Sequence, residues 1–571
     1  MSEYRPAASS GPARANQGAE PPPLTLDRTI AAGGVLRRGT SAAYRMLRST
    51  AGESHLARPE LGGAAALEGG ALRRARPLLS LAHVTDLQLA DVQSPARFEF
   101  FNREADDPRF ALLVPVQRPQ EALAPHAVAA MVATLNRLPG GPVGGAPLQV
   151  VVTTGDAIDN AQWNELRMFL ALLNGGLVRP GSGGPRYEGV QSHAWPDDIF
   201  WRPDPSSGPP DVFRAAYGFG DHPGLLELAL ADFTATGLAM PWLACFGNHE
   251  ALIQGVGLVT SRVAAAMVGG RKPSRLPDAA DRDTAVERFT DGCDVFLGGA
   301  DVDVSPDPDR RPVSRRDFVA AHLEAGGSPA GQGFTERNAR DGTAYYAHDL
   351  PGVRLVALDT TCPAGAAAGS IDADQLAWLE RELADVHSAY RRADGSVVTT
   401  PNEDRLVVLF SHHGLDTLTN PRGAANGRRD VESLLHRFPN VVLWLTGHTH
   451  TNVVTPRPSP DPGRPGGGFW EVTTCAVMDW PGQARLVELL DTGDGMLRLA
   501  CTMLDHDSPV VPHRNPATGP HLAGLHRELA ANVPFAGLGS PLSGARADRN
   551  VVLTLPAPFP LSRLRVDGAG S

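Results

Sequence analysis

The stretch Gly247-Asn248-His249-Glu250 follows directly on the apolar run 240–246. An amide oxygen, an imidazole and a carboxylate this close together suit a metal ion with a general acid beside it. Four other apolar runs stop in the same way. Residues 78–85 end in Asp86-Leu87-Gln88, and 148–154 end in Gly155-Asp156-Ala157-Ile158-Asp159-Asn160. Residues 406–410 end in Ser411-His412-His413-Gly414, and 441–445 in Thr446-Gly447-His448-Thr449-His450. One polar strand end reads as readily as a turn or a hydrogen-bonded core histidine. All of them in one chain are hard to produce by chance. Asp, Asn and His together are borderline-hard ligands, suited to Mn, Fe, Zn or Ni rather than to a thiolate site. A carboxylate held at a strand end can bridge two such ions.

The elements that must position these groups follow from periodicity. The apolar runs read as buried strands, and 126–138 and 161–173 carry helical spacing between them. Strand, helix, strand, helix gives a right-handed βαβ layout with a parallel pair, and open α/β sheets place ligand sites beyond their C-terminal strand ends. Residues 225–236 read as a helix leading into the 240–246 strand, with further helices at 316–324 and 372–383. Residues 353–359 read as another strand, and 468–474, 484–490 and 496–501 as strands of a second sheet. The Pro/Ser/Gly/Ala-rich residues 1–25 read as disordered. An N-terminal extension, 26–77, has helical periodicity around 42–47, and in a C-terminal extension, 506–571, only 551–555 is strand-like. Two long insertions, about 175–221 and 269–340, are rich in loop residues and read either as a lid or substrate wall or as decoration.

Composition narrows the class. The chain has 571 residues, 42% of them hydrophobic, which is enough for a sizeable core. A net charge of −11 argues against a nucleic-acid partner, which would call for a basic face, but leaves phosphate chemistry open if cations supply the positive charge. The five cysteines lack CxxC spacing, so neither a zinc knuckle nor a disulfide framework is expected. No run of about 18 apolar residues signals a transmembrane helix.

The order Dxx, GDxxD, GNHE, H, GHTH resembles the calcineurin-like metallophosphoesterase superfamily, over roughly residues 79–504. Asp359, with the helix carrying Gln375, Trp378 and Leu379, is similar as well. The long inserts and Met478-Asp479-Trp480-Pro481 resemble a bacterial subgroup often exported by the twin-arginine route. This chain opens with no charged-then-apolar signal pattern, so the expectation is a cytoplasmic protein, with export the alternative. The resemblance implies an α/β fold, a four-layer α/β/β/α sandwich with two mixed sheets and large loop insertions, and makes 78–505 the catalytic domain. It implies two divalent or trivalent metal ions, Mn, Fe, Zn or similar. Asp86 and His450 would hold one, Asn248, His412 and His448 the other, and Asp156 would bridge them. His249 would act on the leaving group, braced by Asp159 or Glu250. A hydroxide between the metals would attack phosphorus in a small phosphorylated substrate, a phosphomonoester or phosphodiester.

The departure from the pattern is Gln88, where the family commonly has His, and an amide is the weaker ligand. Purple acid phosphatases also lack that His but use a Tyr where this chain has Asp159, so no tyrosinate colour is expected. Two other readings stay open: a non-catalytic binding protein with a degraded first metal site, and a metal hydrolase of non-phosphate esters. Beside the candidate ligands, His83 reads as a core histidine rather than a ligand and His413 as an outer-shell or substrate-side histidine rather than a ligand, while Arg97 and Asn160 read as loop residues that could instead touch phosphate.

Overall fold

The computed structural model describes residues 20–62, 72–422, 426–461, 466–512 and 518–564. The expected disorder of residues 1–25 falls mostly outside them. Within them, Thr25 is buried and its hydroxyl donates to the Met503 carbonyl at 2.5 Å, so order begins before residue 26.

The fold is mixed α/β with two large sheets. One has seven strands in the spatial order Leu56–Arg58, Val551–Pro556, Met496–Asp505, Gln483–Asp491, Arg76–Val84, Val150–Thr153 and Trp242–Leu243. The last three run parallel, as their βαβ connections require. The other sheet has six strands in the order Tyr346–Leu350, Val353–Leu358, Leu406–Ser411, Val441–Thr446, Phe469–Thr473 and Val453–Arg457, parallel at its centre and antiparallel at both edges. Its alternation is plain. Leu355, Ala357, Val408 and Phe410 join a core shared with the seven-stranded sheet and the helices Ala124–Asn136 and Trp163–Asn174. Val356, Leu358, Val407 and Leu409 face the other way, packing with Leu379 and Leu383 of the helix Ala373–Ala384 and Val431 and Leu435 of the helix Arg428–Leu435.

Three local expectations fail. Residues 42–47 are not helical; all but the first lie in the strand Ala43–Ala51, which pairs with Arg28–Arg38. Tyr44 and Leu47, three apart, imitate a helical stripe. Both are buried near the helix Gly519–Asn532, Tyr44 against Leu525 and Leu529 and Leu47 against Ala530 and Ala531. That helix is itself absent from the sequence reading; it packs on Ala124–Asn136. The expected helix 225–236 is a short helix, Leu225–Ala229, followed by the strand Phe233–Ala235. Pairing with Gly176–Val178 captures the second half, and tertiary contacts override a weak helical signal.

The cysteines are all free and buried. No helix among the described residues is long and apolar enough to cross a membrane.

Candidate metal centre

The polar ends of the two sheets meet. The Thr154 carbonyl accepts from His412 Nδ1 at 2.8 Å, which leaves His412 Nε2 facing Asp156 Oδ2 at 2.9 Å. Ligand atoms of Asp86, Asp156 and His412 all lie within 4.8 Å of one another, as do those of His412, His413 and His448. His448 Nδ1 is 3.2 Å from His412 Nε2, and His450 Nε2 is 3.3 Å from Asp86 Oδ1. Gln88 Nε2 sits 3.3 Å from His450 Nε2 and 3.4 Å from His249 Nε2. The structure thus brings together Asp86, Gln88, Asp156, Asn248, His249, His412, His448 and His450.

Backbone geometry marks the same residues. Asp86 (φ 51°), Gln88 (39°), Asp156 (49°), His448 (68°) and His450 (55°) occupy the left-handed region, where non-glycine residues are rare and concentrate at functional sites. Two glycines make the crowding possible. A Cβ at Gly247 would collide with Asp156 Oδ1, and one at Gly447 with Thr85 Oγ1 and Asp86 Oδ2.

Burial and neighbouring charge oppose one another across the cluster. Burial alone would lower the pKa of His412, but the Asp156 carboxylate outweighs it and carries it up to about 9. Burial is likewise overcome at His450, which Asp86 and Asp479 hold up at about 10. His448, buried and beside His412, falls to about 3. The two carboxylates are held low by these imidazoles against the opposing effect of burial.

Asn248 tests whether a cation fits. Its Nδ2 donates to the Gly255 carbonyl at 2.9 Å, which fixes the amide, while Oδ1 is buried with no hydrogen-bond partner. Gln88 Oε1 is orphaned in the same way. Two unpartnered amide oxygens beside two carboxylates and three imidazoles are a donor set for a borderline-hard cation.

His249 is oriented by Asp159, though through the main chain. Its Nδ1 donates to the Asp159 carbonyl at 2.7 Å, with the Asp159 carboxylate 3.6 Å away. Glu250 does not brace His249. It accepts backbone N–H bonds from Gly247 (2.6 Å), Asp156 (2.9 Å), Ala157 (2.7 Å) and Ile158 (3.3 Å), tying the GNHE turn to the GDxxD turn.

The remaining candidates are accounted for. Both ring nitrogens of His413 are engaged, with Thr360 Oγ1 and the Ala367 carbonyl, so it supports His448 from behind despite its proximity. His83 lies between Thr154 Oγ1 and Thr474 Oγ1 in the core. Arg97 is fully buried and binds Asp159, Glu121 and the Val116 carbonyl; Asn160 is buried against the Ala96 carbonyl and the Gln254 amide. Neither is placed to meet a phosphate.

Two residues of the site escaped the sequence reading. Asp479 accepts from His450 Nδ1 at 2.6 Å, which turns Nε2 of that ring toward Asp86. Arg118 pairs with the other Asp479 oxygen at 2.8 Å and lines the site cavity. Asp479 sits in the Met-Asp-Trp-Pro stretch, so its type was visible but its partner was not. The cavity takes none of its described lining residues from the insertions 175–221 or 269–340; its wall is the loop 112–118.

No protein-family model matches this chain, and no curated protein does. Among solved structures, a dimetal phosphatase from Danio rerio is similar over 76% of this chain and 100% of that one, at 12% identity and a TM-score of 0.35. A likeness of that size supports no conclusion about this chain.

Both oxygens of Glu250 are filled by N–H donors. Glu250→Gln turns an NH2 group onto two of them and is expected to cost about 3 kcal/mol in urea unfolding, with loss of bound metal in the folded fraction. Unchanged stability and metal content would show that Glu250 does not hold the site together.

Proposed function

We propose that this chain is a metal-dependent phosphoric ester hydrolase with a dinuclear centre, built on a four-layer α/β/β/α sandwich. The observation that carries the reading is the convergence of Asp86, Asp156 and His412 beside the orphaned oxygen of Asn248, at the C-terminal ends of strands from both sheets.

Asp86 and His450 would hold one cation, with the Gln88 amide beside His450, and Asn248, His412 and His448 would hold the other; Asp156 would serve both. The cations, Mn, Fe, Zn or similar, would lower the pKa of a water and draw charge from the phosphoryl oxygens.

The chain's own groups do the rest. Thr154 and Asp479 fix the rings of His412 and His450, so that each presents Nε2. His249 keeps one proton on Nδ1, against the Asp159 carbonyl, and presents Nε2 to the cavity. Protonated there, it donates to the leaving oxygen, while the Asp159 carboxylate steadies the imidazolium. Arg97, bonded to Asp159, keeps that carboxylate in place.

The amide at Gln88 favours a second reading, a binding protein whose first metal position is too weak for turnover. Metal content and activity separate the two. The phosphoesterase reading expects near two metals per chain by elemental analysis, with EDTA-sensitive turnover of p-nitrophenyl phosphate or its bis ester. Asp156→Ala should abolish that turnover by at least about 100-fold. No metal and no turnover with any divalent ion would leave the binding protein.

His249→Ala should lower kcat by about 100-fold or more for alkyl phosphates and by much less for p-nitrophenyl phosphate, whose leaving group needs no proton. Equal losses for both would remove the acid role. Gln88→His should tighten binding of the weaker metal by about tenfold or more, read by metal titration. An unchanged isotherm would show that position 88 does not face the ion.

A further inference from the structure

The cavity over His249 is small, about 180 Å³, against about 300–1,000 Å³ for a site that encloses a drug-sized ligand. Its lining holds the candidate ligands and His249, Gln254, whose Nε2 is buried without a partner, and an apolar stretch, Leu112, Leu113, Val114, Pro115 and Val116, joined by Val256 and Ala367.

That wall is built in advance. The amides of Leu113 and Val114 both bond to the Phe110 carbonyl, and Phe110 is anchored in an aromatic cluster with Phe101. Asn102 clamps the next turn, accepting from the Val116 amide at 2.7 Å and donating to the Gln117 carbonyl at 2.8 Å. Opposite, the Ala366 amide bonds to the Val256 carbonyl at 3.0 Å. Leu112 stands at the rim and is 49% exposed. A large apolar side chain left in water beside a polar site gains free energy when an apolar group covers it.

Charge points the same way. Arg118 is the one cationic arginine or lysine among the described lining residues, and its Nε and Nη2 are taken by Asp479 at 2.8 and 3.3 Å. Asp156 and Asp159 also line the cavity. With Arg118 engaged by Asp479 and Asp159 already paired with Arg97, the described lining offers no side-chain cation dedicated to a second phosphate or a carboxylate on the substrate.

Resting on the phosphoesterase reading above, we infer that the preferred substrates are phosphoesters carrying a single phosphoryl group on an uncharged apolar group, an alkyl or aryl moiety that lies along the 112–115 wall and leaves past Leu112. Sugar phosphates, nucleoside di- and triphosphates and phosphoamino acids are disfavoured.

The test uses the metal-loaded full chain and primary alkyl phosphates, whose leaving groups are alike in reactivity. From methyl to n-hexyl phosphate, kcat/KM should rise by about two- to three-fold per methylene, and n-hexyl phosphate should exceed glycerol 3-phosphate by at least about tenfold. Leu112→Asp, at a half-exposed position, should cut the n-hexyl to methyl ratio about five-fold, and Leu112→Met should restore it. A flat series, glycerol 3-phosphate turned over as well as n-hexyl phosphate, or an unchanged ratio in Leu112→Asp would overturn the inference while leaving the hydrolase in place. Absence of turnover for every ester, p-nitrophenyl phosphate included, removes both.

Discussion

The Glu250 carboxylate accepts four backbone N–H groups from two turns, and the rest of the site hangs on that knot. Asp156 and Asp86 lie close enough to repel, and burial removes the water that would screen them. Nothing local makes such an arrangement favourable. It persists because the turns bearing these groups are tied to one another and to strands sunk in a common core. Glu250 joins the GDxxD turn to the GNHE turn. The Asp86 amide bonds to the Gly155 carbonyl, the Gly447 amide to the His412 carbonyl and the His448 amide to the Asp86 carboxylate, so the five loops form one hydrogen-bonded unit.

That unit also carries strain. Left-handed conformations at five of its non-glycine residues each cost on the order of 1–3 kcal/mol, and they last only where the surroundings overdetermine them. The surroundings here are the ends of two sheets whose central strands are buried, from Leu81 and Ala82 to Leu443 and Leu445. Around the unit runs a chain of buried ion pairs: Asp159 to Arg97, Arg97 to Glu121, Glu121 to Arg118, Arg118 to Asp479, and Asp479 to His450. It links the mount of His249 to the mount of His450. Each member is paired with an opposite charge, which is the condition under which buried charge is tolerated.

The cavity lining is of two kinds. Where the candidate ligands converge, the chain supplies carboxylates and imidazoles, and along 112–115 it supplies hydrocarbon. On the proposed reading a phosphoryl group would meet the first and an apolar moiety the second.

Much of this was legible in the residues alone. Apolar runs marked the strands, and the polar residues at their ends marked Asp86, Asp156, Asn248, His249, His412, His448 and His450 as candidates that the fold brings together, because those signals are local. The helical spacing of Tyr44 and Leu47 misled, since burial on a strand can imitate it when different groups cover neighbouring positions. The roles of Glu250 and Asp479, the sequestration of Arg97 and Asn160, and the source of the cavity wall depended on partners tens to hundreds of residues away. Residue type and spacing determined which groups could do the chemistry. The tertiary structure decided which atoms face one another, because hydrogen-bond partners and left-handed turns are set by the packing of two sheets, and no stretch of chain encodes that by itself.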